Sequence, residues 1–423
     1  MKGGIAKQVH HMVSSRTLLK ITLVIAALII TSSIVATTPT EAKSQSVQWT
    51  YQGGSSVIAG YPVLSPTGDL YVYSTDGVNA TIYAVSPLGK GLWNTGVALA
   101  SMPQFSADGT MFVLVDVLSN AKVNGTGLLA LNPAGIMKWT FVVPGISEGM
   151  RVLPDGGVVL GAMPTSVGQH SLVCLNANGS ERWTKGIYDL NSSNPMMYPV
   201  AIHGNNVLVA TTSFSSPERS IITEYAPDGK VVRSFKTDFA PQSIFFAPDG
   251  TMRTVGYNLS RSTNYEYLYA LNANGSVKWA SLLNNVYGDL AILYDGTTVY
   301  GELTGSSGLN LDVYAVDGNG KSLWRSVNLK TIPVAFGNGM LLSNSTALML
   351  VDRDGGIVWK FDGSFNGQPV VSGKTIYAGS GSVLMAISDS AWKLSWQPMV
   401  LLLTIIVALV GVGSLSGRTP RLD

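Results

Sequence analysis

The sequence predicts an all-β fold, an eight-bladed β-propeller of four-stranded blades with a C-terminal transmembrane helix. Tryptophan recurs with a period near 45 residues, beginning with steps of 44, 46 and 44 residues from Trp49. Two short-strand motifs alternate along the chain, in eight copies each. An uncharged apolar run, 398–415, lies close to the last residue. A repeat of this length indicates a propeller or another repeat array, and a 12% charged, Gly-rich composition favours β-structure.

The first motif is a short strand, a Gly turn and a second strand that begins near a tryptophan, as in LYALNANGSVKW (268–279). The copy at 222–235 keeps the Gly but has Arg233 in place of tryptophan, and the copy at 383–394 lacks the Gly turn. The blade tryptophans are Trp49, Trp93, Trp139, Trp183, Trp279, Trp324 and Trp359. The turn glycines are Gly89, Gly135, Gly179, Gly229, Gly275, Gly320 and Gly355.

The second motif is a hairpin of two short strands around another Gly turn. Its copies occupy 61–73, 102–114, 150–161, 198–210, 242–255, 289–301, 332–343 and 368–379. Each repeat therefore supplies strands A and B from this motif and strands C and D from the first, which is the content of a propeller blade.

The eighth repeat lacks a clear strand D, whereas the chain opens with an unassigned D-like strand, Val47–Tyr51. An open edge on the last blade invites aggregation, so we expect Val47–Tyr51 to complete that blade and close the ring. In the alternative, the segment 392–396 forms strand D itself.

The pattern LYALN-x-x-G-x-x-x-W resembles the repeat of the PQQ-like propellers, which include quinoprotein dehydrogenases and the non-enzymatic outer-membrane assembly propeller BamB. The resemblance covers about 47–396. It implies that the tryptophans dock between neighbouring blades, which suits a large amphipathic ring with one N–H donor.

The same resemblance leaves an enzymatic alternative, a PQQ-dependent or other cofactor-dependent oxidoreductase. Such enzymes use adjacent cysteines, bound calcium, a catalytic carboxylate and aromatic stacking on the quinone. This chain has one cysteine, Cys174, in an apolar strand pattern. Its histidines are His10 and His11 in the signal region and the isolated His170 and His203, and Asp352–Gly355 lacks the remaining ligands of a calcium loop. We therefore predict no catalytic residues, no cofactor and no metal site.

The two ends of the chain resemble membrane signals. Residues 1–42 read as a signal peptide cleaved after Ala42, or as an uncleaved N-terminal anchor. The predicted ectodomain is 43–396, the transmembrane helix 397–416 with its apolar run at 398–415, and the basic cytoplasmic tail 417–423. Arg418 and Arg421 place the tail in the cytoplasm and the propeller outside the cell.

The charge distribution excludes a nucleic-acid partner. The stretch 43–397 holds 21 of the 27 basic and 23 of the 25 acidic residues, which leaves it without a basic footprint. We therefore expect a non-enzymatic binding or scaffold module at the cell membrane.

The long B–C segments are expected to form one face that meets a protein or glycan partner, while the face with the short turns looks at the membrane. These segments are 116–127, 163–171, 211–221, 257–266 and 302–311. The possible glycosylation sites are Asn79, Asn124, Asn178, Asn191, Asn258, Asn274 and Asn344, five of which fall on the long-loop face.

Overall fold

The computed structural model describes residues 45–388, apart from the short gaps 54–61, 76–79, 98–100, 120–121, 144, 165–169, 187–195, 214–218, 260–265, 284–285, 287–289, 305–309, 330–332, 338, 345 and 366. All regular structure in these residues is β-structure. They contain no helix that is long and apolar enough to cross a membrane. The predicted span 398–415, the segment 1–42 and the basic tail lie outside the described residues.

The described residues form short strands that follow the two sequence motifs. In chain order they are β1 (Ser46–Gln52), β2 (Val63–Leu64), β3 (Leu70–Thr75), β4 (Ala80–Val85), β5 (Gly91–Val97), β6 (Gln104–Phe105), β7 (Met111–Ser119), β8 (Lys122–Leu131), β9 (Met137–Val142), β10 (Ile146–Val152), β11 (Val158–Met163), β12 (Ser171–Leu175), β13 (Glu181–Gly186), β14 (Met196–His203), β15 (Asn206–Ser213), β16 (Arg219–Tyr225), β17 (Val231–Thr237), β18 (Phe239–Phe246), β19 (Met252–Asn258), β20 (Glu266–Leu271), β21 (Val277–Leu282), β22 (Ala291–Ile292), β23 (Thr298–Thr304), β24 (Asn310–Val316), β25 (Ser322–Leu329), β26 (Val334–Phe336), β27 (Gly339–Ser343), β28 (Ala347–Asp352), β29 (Ile357–Asp362), β30 (Val370–Ser372), β31 (Thr375–Ser380) and β32 (Val383–Ser388).

The strands pair into eight antiparallel sheets of four strands each, which confirms the predicted eight-bladed propeller. Blades 1 to 7 use consecutive strands in positions A, B, C and D, from β2–β5 in blade 1 to β26–β29 in blade 7. Blade 8 has the order β1-β32-β31-β30, so its strand D comes from the start of the chain. Strands A of neighbouring blades contact each other and therefore lie nearest the axis of the ring.

Burial follows the position of a strand within its blade. Strands B and C are covered on both faces by neighbouring blades and read as apolar runs, as in β11 and β12. Strands D form the outer edge and alternate between half-buried and exposed residues, as in β9 and β21. The core therefore consists of apolar clusters, most of which join one blade to the next.

The connections divide between the two ends of the ring. Because the sheets are antiparallel, the A–B and C–D turns share one end, here named the turn end, and the B–C connections share the other, the loop end. At the turn end the hairpins close with short turns such as Asn132–Gly135, in which the N–H of Gly135 donates to the carbonyl of Asn132. The different connections give the ring two chemically distinct ends.

Strand β1 closes the ring, as predicted. It pairs antiparallel with β32 from Ser46 opposite Ser388 to Gln52 opposite Val383. This pairing occupies the outer position of blade 8, so the alternative in which 392–396 forms strand D is excluded. The first and last strands of the described chain thus complete one sheet.

The expectation that 116–127 is a loop was wrong. β7 and β8 continue as a paired hairpin as far as Ser119 opposite Lys122, and only 120–121 lies between them. Val115 and Val117 stand opposite Gly127 and Gly125, so both glycines are partners within the sheet. Strands in blades 4 and 6 also extend into the predicted loops, to the pairs Ser213–Arg219 and Thr304–Asn310.

Candidate functional site

The blade tryptophans join each blade to the next at the turn end. In all of them except Trp359, the indole Nε1 donates a hydrogen bond to a carbonyl in the C–D turn of the following blade. Trp139 in blade 2, for example, donates to Ala177 of blade 3 at 2.9 Å. The donor–acceptor pairs are Trp49–Pro87, Trp93–Pro133, Trp139–Ala177, Trp183–Pro227, Trp279–Gly318 and Trp324–Arg353. We call this contact the latch.

The turn glycine of the next blade lies against the face of the same indole. Gly320 has φ of +82°, and a Cβ placed on it would stand 2.8 Å from the ring of Trp279. Gly135 would meet Trp93 at 2.6 Å in the same way. No side chain fits between the turn and the ring, which explains why glycine and tryptophan recur together in the repeats.

In most blades a small residue of strand C stands opposite the tryptophan. Trp93, Trp139, Trp279 and Trp324 pair with Ala84, Ala130, Ala270 and Ala315, respectively. Cys174 occupies the same place opposite Trp183. The thiol is fully buried, and burial raises its pKa to about 12. Cys174 therefore serves as a small core residue beneath a tryptophan.

Blade 4 uses a different latch. Arg233 stands at the tryptophan position and its Nη1 donates to the carbonyl of Ala273 in the C–D turn of blade 5. The ring that covers Gly275 comes instead from Phe235, two residues further along β17. Arginine and phenylalanine together thus supply the donor and the ring that one tryptophan supplies elsewhere.

The arginine latch depends on a buried carboxylate. Glu224 stands opposite Arg233, where five other blades have alanine, and is 2% exposed. It accepts hydrogen bonds from Arg233, from Asn206 at 2.7 Å and from His203 at 2.9 Å. Burial alone would raise the pKa of Glu224, but the three donors outweigh it and hold the pKa below its usual value. Sequence reasoning noted Arg233 but missed Glu224, although it breaks the column of small residues.

Acidification should weaken the junction of blades 4 and 5. Because the folded pKa of Glu224 lies below its value in the unfolded chain, its charge stabilises the fold above that unfolded value, about 4.5. The contribution is lost as the pH falls through the folded pKa. We expect Glu224→Gln to lower the free energy of unfolding by about 2 kcal/mol at pH 7 and to reduce its dependence on acid pH. Chemical denaturation between pH 7 and pH 3 measures both effects, and equal pH slopes for the two proteins would contradict them.

Trp359 differs from the other latch residues. Its side chain is 5% exposed, and its Nε1 is buried without a hydrogen-bond partner in the described part of the chain. It faces blade 8, where the repeat has lost its Gly turn. The junction of blades 7 and 8 therefore relies on apolar packing with Phe365, Ile376 and Ile387.

Replacement of tryptophan by phenylalanine should lower the free energy of unfolding by different amounts at these two kinds of junction. Trp139→Phe removes a donor that is in use, so we expect it to cost about 1 kcal/mol more than Trp359→Phe, which removes an unpaired buried N–H. Both changes delete the same atoms, so each variant is the other's control for lost ring area. Unfolding in urea measures the difference, and a greater loss in Trp359→Phe would refute it.

Arg253 of β19 is another buried polar group that the sequence motifs did not reveal. It is fully buried, and its guanidinium lies 5.2 Å from the ring centre of Trp279. Burial lowers its pKa, and its Nε and Nη2 atoms have no partner among the described residues. Phe112 takes the equivalent place beside Trp139 in blade 2. Arg253 thus replaces an aromatic ring between blades at the expense of an incompletely paired charge.

Two cavities open between hairpins at the turn end. The larger, about 460 Å³, lies between blades 6 and 7 and is lined by Leu293, Tyr294, Asp295, Asp352, Arg353 and Asp354. The smaller, about 230 Å³, lies between blades 2 and 3 and includes Asp108, Lys138 and Asp155. Hydrogen bonds from Ser106 and Thr110 hold the pKa of Asp108 well below its usual range.

Neither cavity fits pyrroloquinoline quinone. The quinone carries three carboxylates, whereas each cavity presents more carboxylates than cations. Lys138 already lies 3.5 Å from Asp108. The carboxylates of each cavity would repel those of the quinone and oppose its binding. Neither cavity therefore supports a redox step.

The remaining candidate residues have local structural roles. Asp352 caps its own turn by accepting from the N–H groups of Asp354 and Gly356, and no group of three metal-binding side chains occurs in the residues that are described. His203 is tied to Glu224 and stacks on Phe246. His170 is buried.

The sequons fall at both ends of the ring. Asn178 and Asn274 are exposed in C–D turns at the turn end, and each accepts from a serine two residues further along. Asn258 and Asn344 lie at the loop end, as does the backbone of Asn124 in β8. Asn79 and Asn191 lie outside the described residues.

Comparisons with known proteins support the repeat assignment. The sequence profile of the family described as "Outer membrane protein assembly factor BamB" matches residues 309–413. No curated protein sequence matches the chain.

The comparison with solved structures gives matches of low similarity. The WD40 domain of Neurospora crassa Pan2 is 12% identical, with a TM-score of 0.45, and the match covers 69% of this chain and 90% of that one. Prolyl oligopeptidase B of Galerina marginata is 12% identical, with a TM-score of 0.44, over 64% of this chain and 43% of that one. A structure described as the eukaryotic initiation factor is 9% identical, with a TM-score of 0.44, over 77% of this chain and 90% of that one.

The eight sheets, the repeated Trp–Gly latch and the matching BamB-type profile agree with one another. The chain folds as an eight-bladed β-propeller and, over residues 309–413, is similar to the BamB-type family of PQQ-like propellers.

Proposed function

We propose that this propeller is a non-enzymatic binding or scaffold module at the cell surface. In this proposal the segment 398–415 anchors it in the membrane and the loop end meets a protein or glycan partner. The observation that carries the proposal is the difference between the two ends of one ring. Latches fix the turn end, whereas strands of unequal length extend toward the loop end.

The loop end has an uneven outline. The B–C hairpin of blade 2 is built from strands of 9 and 10 residues, whereas that of blade 7 uses strands of 5 and 6 residues. In blade 8 the strands meet at Ser380 opposite Val383. High hairpins beside low ones form a concave surface on a rigid frame, which is a common arrangement for recognition.

The experiment shortens the tallest hairpin. Replacing 117–125 by Asn-Gly joins Asp116 to Thr126, which are already partners across the hairpin, through a tight turn. The full chain in membranes is screened against glycan arrays and by cross-linking on intact cells. We expect the shortened variant to lose the captured partner while its melting temperature stays close to that of the parent.

The matched control changes the other end of the ring. Asn319 is exposed in a C–D turn, so Asn319→Lys alters the turn end without touching a latch tryptophan. Retention of the partner by the shortened hairpin together with loss in Asn319→Lys would contradict the proposal. So would a saturable change in absorbance on titration with pyrroloquinoline quinone and calcium, because that result supports the oxidoreductase alternative.

A further inference from the structure

The outer rim of the turn end carries exposed apolar side chains in seven of the eight blades. Each lies at the start of strand D, one or two residues before the latch position. The rim residues are Val47, Leu92, Met137, Val231, Val277, Leu323 and Ile357, which are between 44% and 62% exposed. Blade 3 is the exception, with Glu181 and Arg182 at these places.

A β-bulge produces this exposure. Ala130 pairs with Trp139, but its neighbour Leu131 pairs with Met137, so Lys138 is an extra residue in strand D. The same shift occurs before the latch residue in the other blades, β1 included. Because the bulge lies at the outer edge of the sheet, no neighbouring strand covers the residues around it.

Further apolar side chains project from the turns of the same end. Leu88 and Tyr294 are each 86% exposed and Ile136 is 64% exposed. At the loop end of strands D, exposed large apolar side chains among the described residues are Val142 and Leu282. Apolar exposure that recurs at one end of a soluble ring marks an interaction surface.

We propose that this rim rests on the surface of a lipid bilayer, with the apolar side chains inserted among the lipid headgroups. The inference rests on the proposed membrane anchoring of the chain. All strands D begin at the same end of the ring, so a planar partner reaches every rim residue at once. A protein partner of standard size buries about 800 Å² and would cover only part of the circumference.

The position at which the chain leaves the last strand supports a lipid bilayer as the partner. β32 runs from the loop end at Val383 to the turn end at Ser388, where it meets Ser46. The uncharged run 398–415 begins ten residues beyond Ser388. The chain therefore leaves the described ring at the same end as the rim, and the ten residues that follow span at most about 36 Å.

The charges of the turn end favour a zwitterionic bilayer. The basic side chains near the rim are largely matched by turn aspartates, in the pairs Lys138–Asp108, Arg182–Asp155, Lys230–Asp228 and Lys278–Asp249. Such a surface has little excess positive charge to attract anionic lipids. Insertion of apolar side chains is therefore the main contribution that we infer.

Matched positions on the same strands provide the test. Met137 and Val142 are the first and last residues of β9, and Val277 and Leu282 are those of β21. All four are exposed and apolar, but the first of each pair lies at the turn end. Single cysteines at these positions, in a Cys174→Ala background, carry a small fluorophore. The background change introduces the alanine that five other blades have at the Cys174 position.

The labelled full chain is reconstituted in phosphatidylcholine vesicles that contain nitroxide-labelled lipid. Interfacial side chains insert about 5–10 Å, so we expect quenching at 137 and 277 to be at least about twofold stronger than at 142 and 282. Equal quenching at both ends, or stronger quenching at 142 and 282, would overturn the inference. Quenching at 137 in vesicles without nitroxide lipid would reveal contact between two rings and would also overturn it.

Alkaline carbonate extraction separates the two proposals. Protein that remains with the vesicles but shows equal quenching retains the anchor and lacks the rim contact. Protein that is extracted has no anchor, and both proposals then fail.

Discussion

Removal of β1 is expected to unfold or aggregate the protein. Deleting 45–52 leaves β32 as an open edge and removes the latch from Trp49 to Pro87. It also removes Trp49 and Tyr51 from the cluster that joins blades 8 and 1 around Leu70, Tyr377 and Leu384. Loss of two aromatic side chains and a whole strand should cost at least about 5 kcal/mol, comparable with the total stability of many domains.

Thermal unfolding and size-exclusion chromatography measure this effect. The control deletes residues 2–44, which removes the region before β1 but keeps the strand, and it should melt at the parental temperature. Because the deletion of 45–52 could prevent folding, Trp49→Ala provides a milder change, with an expected loss of about 3 kcal/mol. A fully stable protein without 45–52 would contradict the ring closure.

The second large effect is expected at a latch glycine. Gly320→Ala places a Cβ 2.8 Å from Trp279 and forces alanine into a backbone conformation with φ of +82°. The ring cannot retreat without breaking its hydrogen bond to Gly318. We expect a loss of about 3 kcal/mol, of which the left-handed backbone accounts for about 1–2 kcal/mol and the clash for the rest.

Gly296 in the A–B turn of the same blade is a matched control. Its φ is +85°, but nothing stands within 4 Å of the position of its Cβ. Gly296→Ala therefore measures the backbone cost alone. Urea unfolding of the two variants isolates the contribution of packing against the indole, and equal losses would show that the latch glycine is required only for its turn.

The sequence predicted the blades and most of their strands well because most blades repeat the same strand order and the same contact between glycine and tryptophan. Most repeats supply a glycine that fits under the indole of the preceding blade and a tryptophan that covers the turn of the next, and the unassigned strand at Val47–Tyr51 matched a blade that lacked strand D. The structure adds that the alanine or cysteine of strand C in most repeats lies opposite the tryptophan of strand D.

The features that the sequence analysis missed are departures from the repeat. Glu224 and Arg233 exchange an alanine–tryptophan pair for an ion pair, and neither motif alone reveals that they stand opposite each other. The segment 116–127 was expected to be a loop, but Gly125 and Gly127 pair with valines across a hairpin. The sequence analysis did not predict the exposed rim, because an apolar residue in a strand normally indicates burial. A bulge at the outer edge of the sheet instead exposes these residues to solvent.

A cross-link between the first and last strands tests the closed eight-bladed ring most directly. Ser46 and Ser388 stand opposite each other in β1 and β32. In the Cys174→Ala background, Ser46→Cys with Ser388→Cys should form a disulfide on mild oxidation and raise the melting temperature, because the bond closes a very long loop. Ser46→Cys with Ser372→Cys is the control, since β30 lies at the far side of the same sheet. Failure of the 46–388 pair to cross-link, or equal cross-linking of the control, would contradict the closed ring.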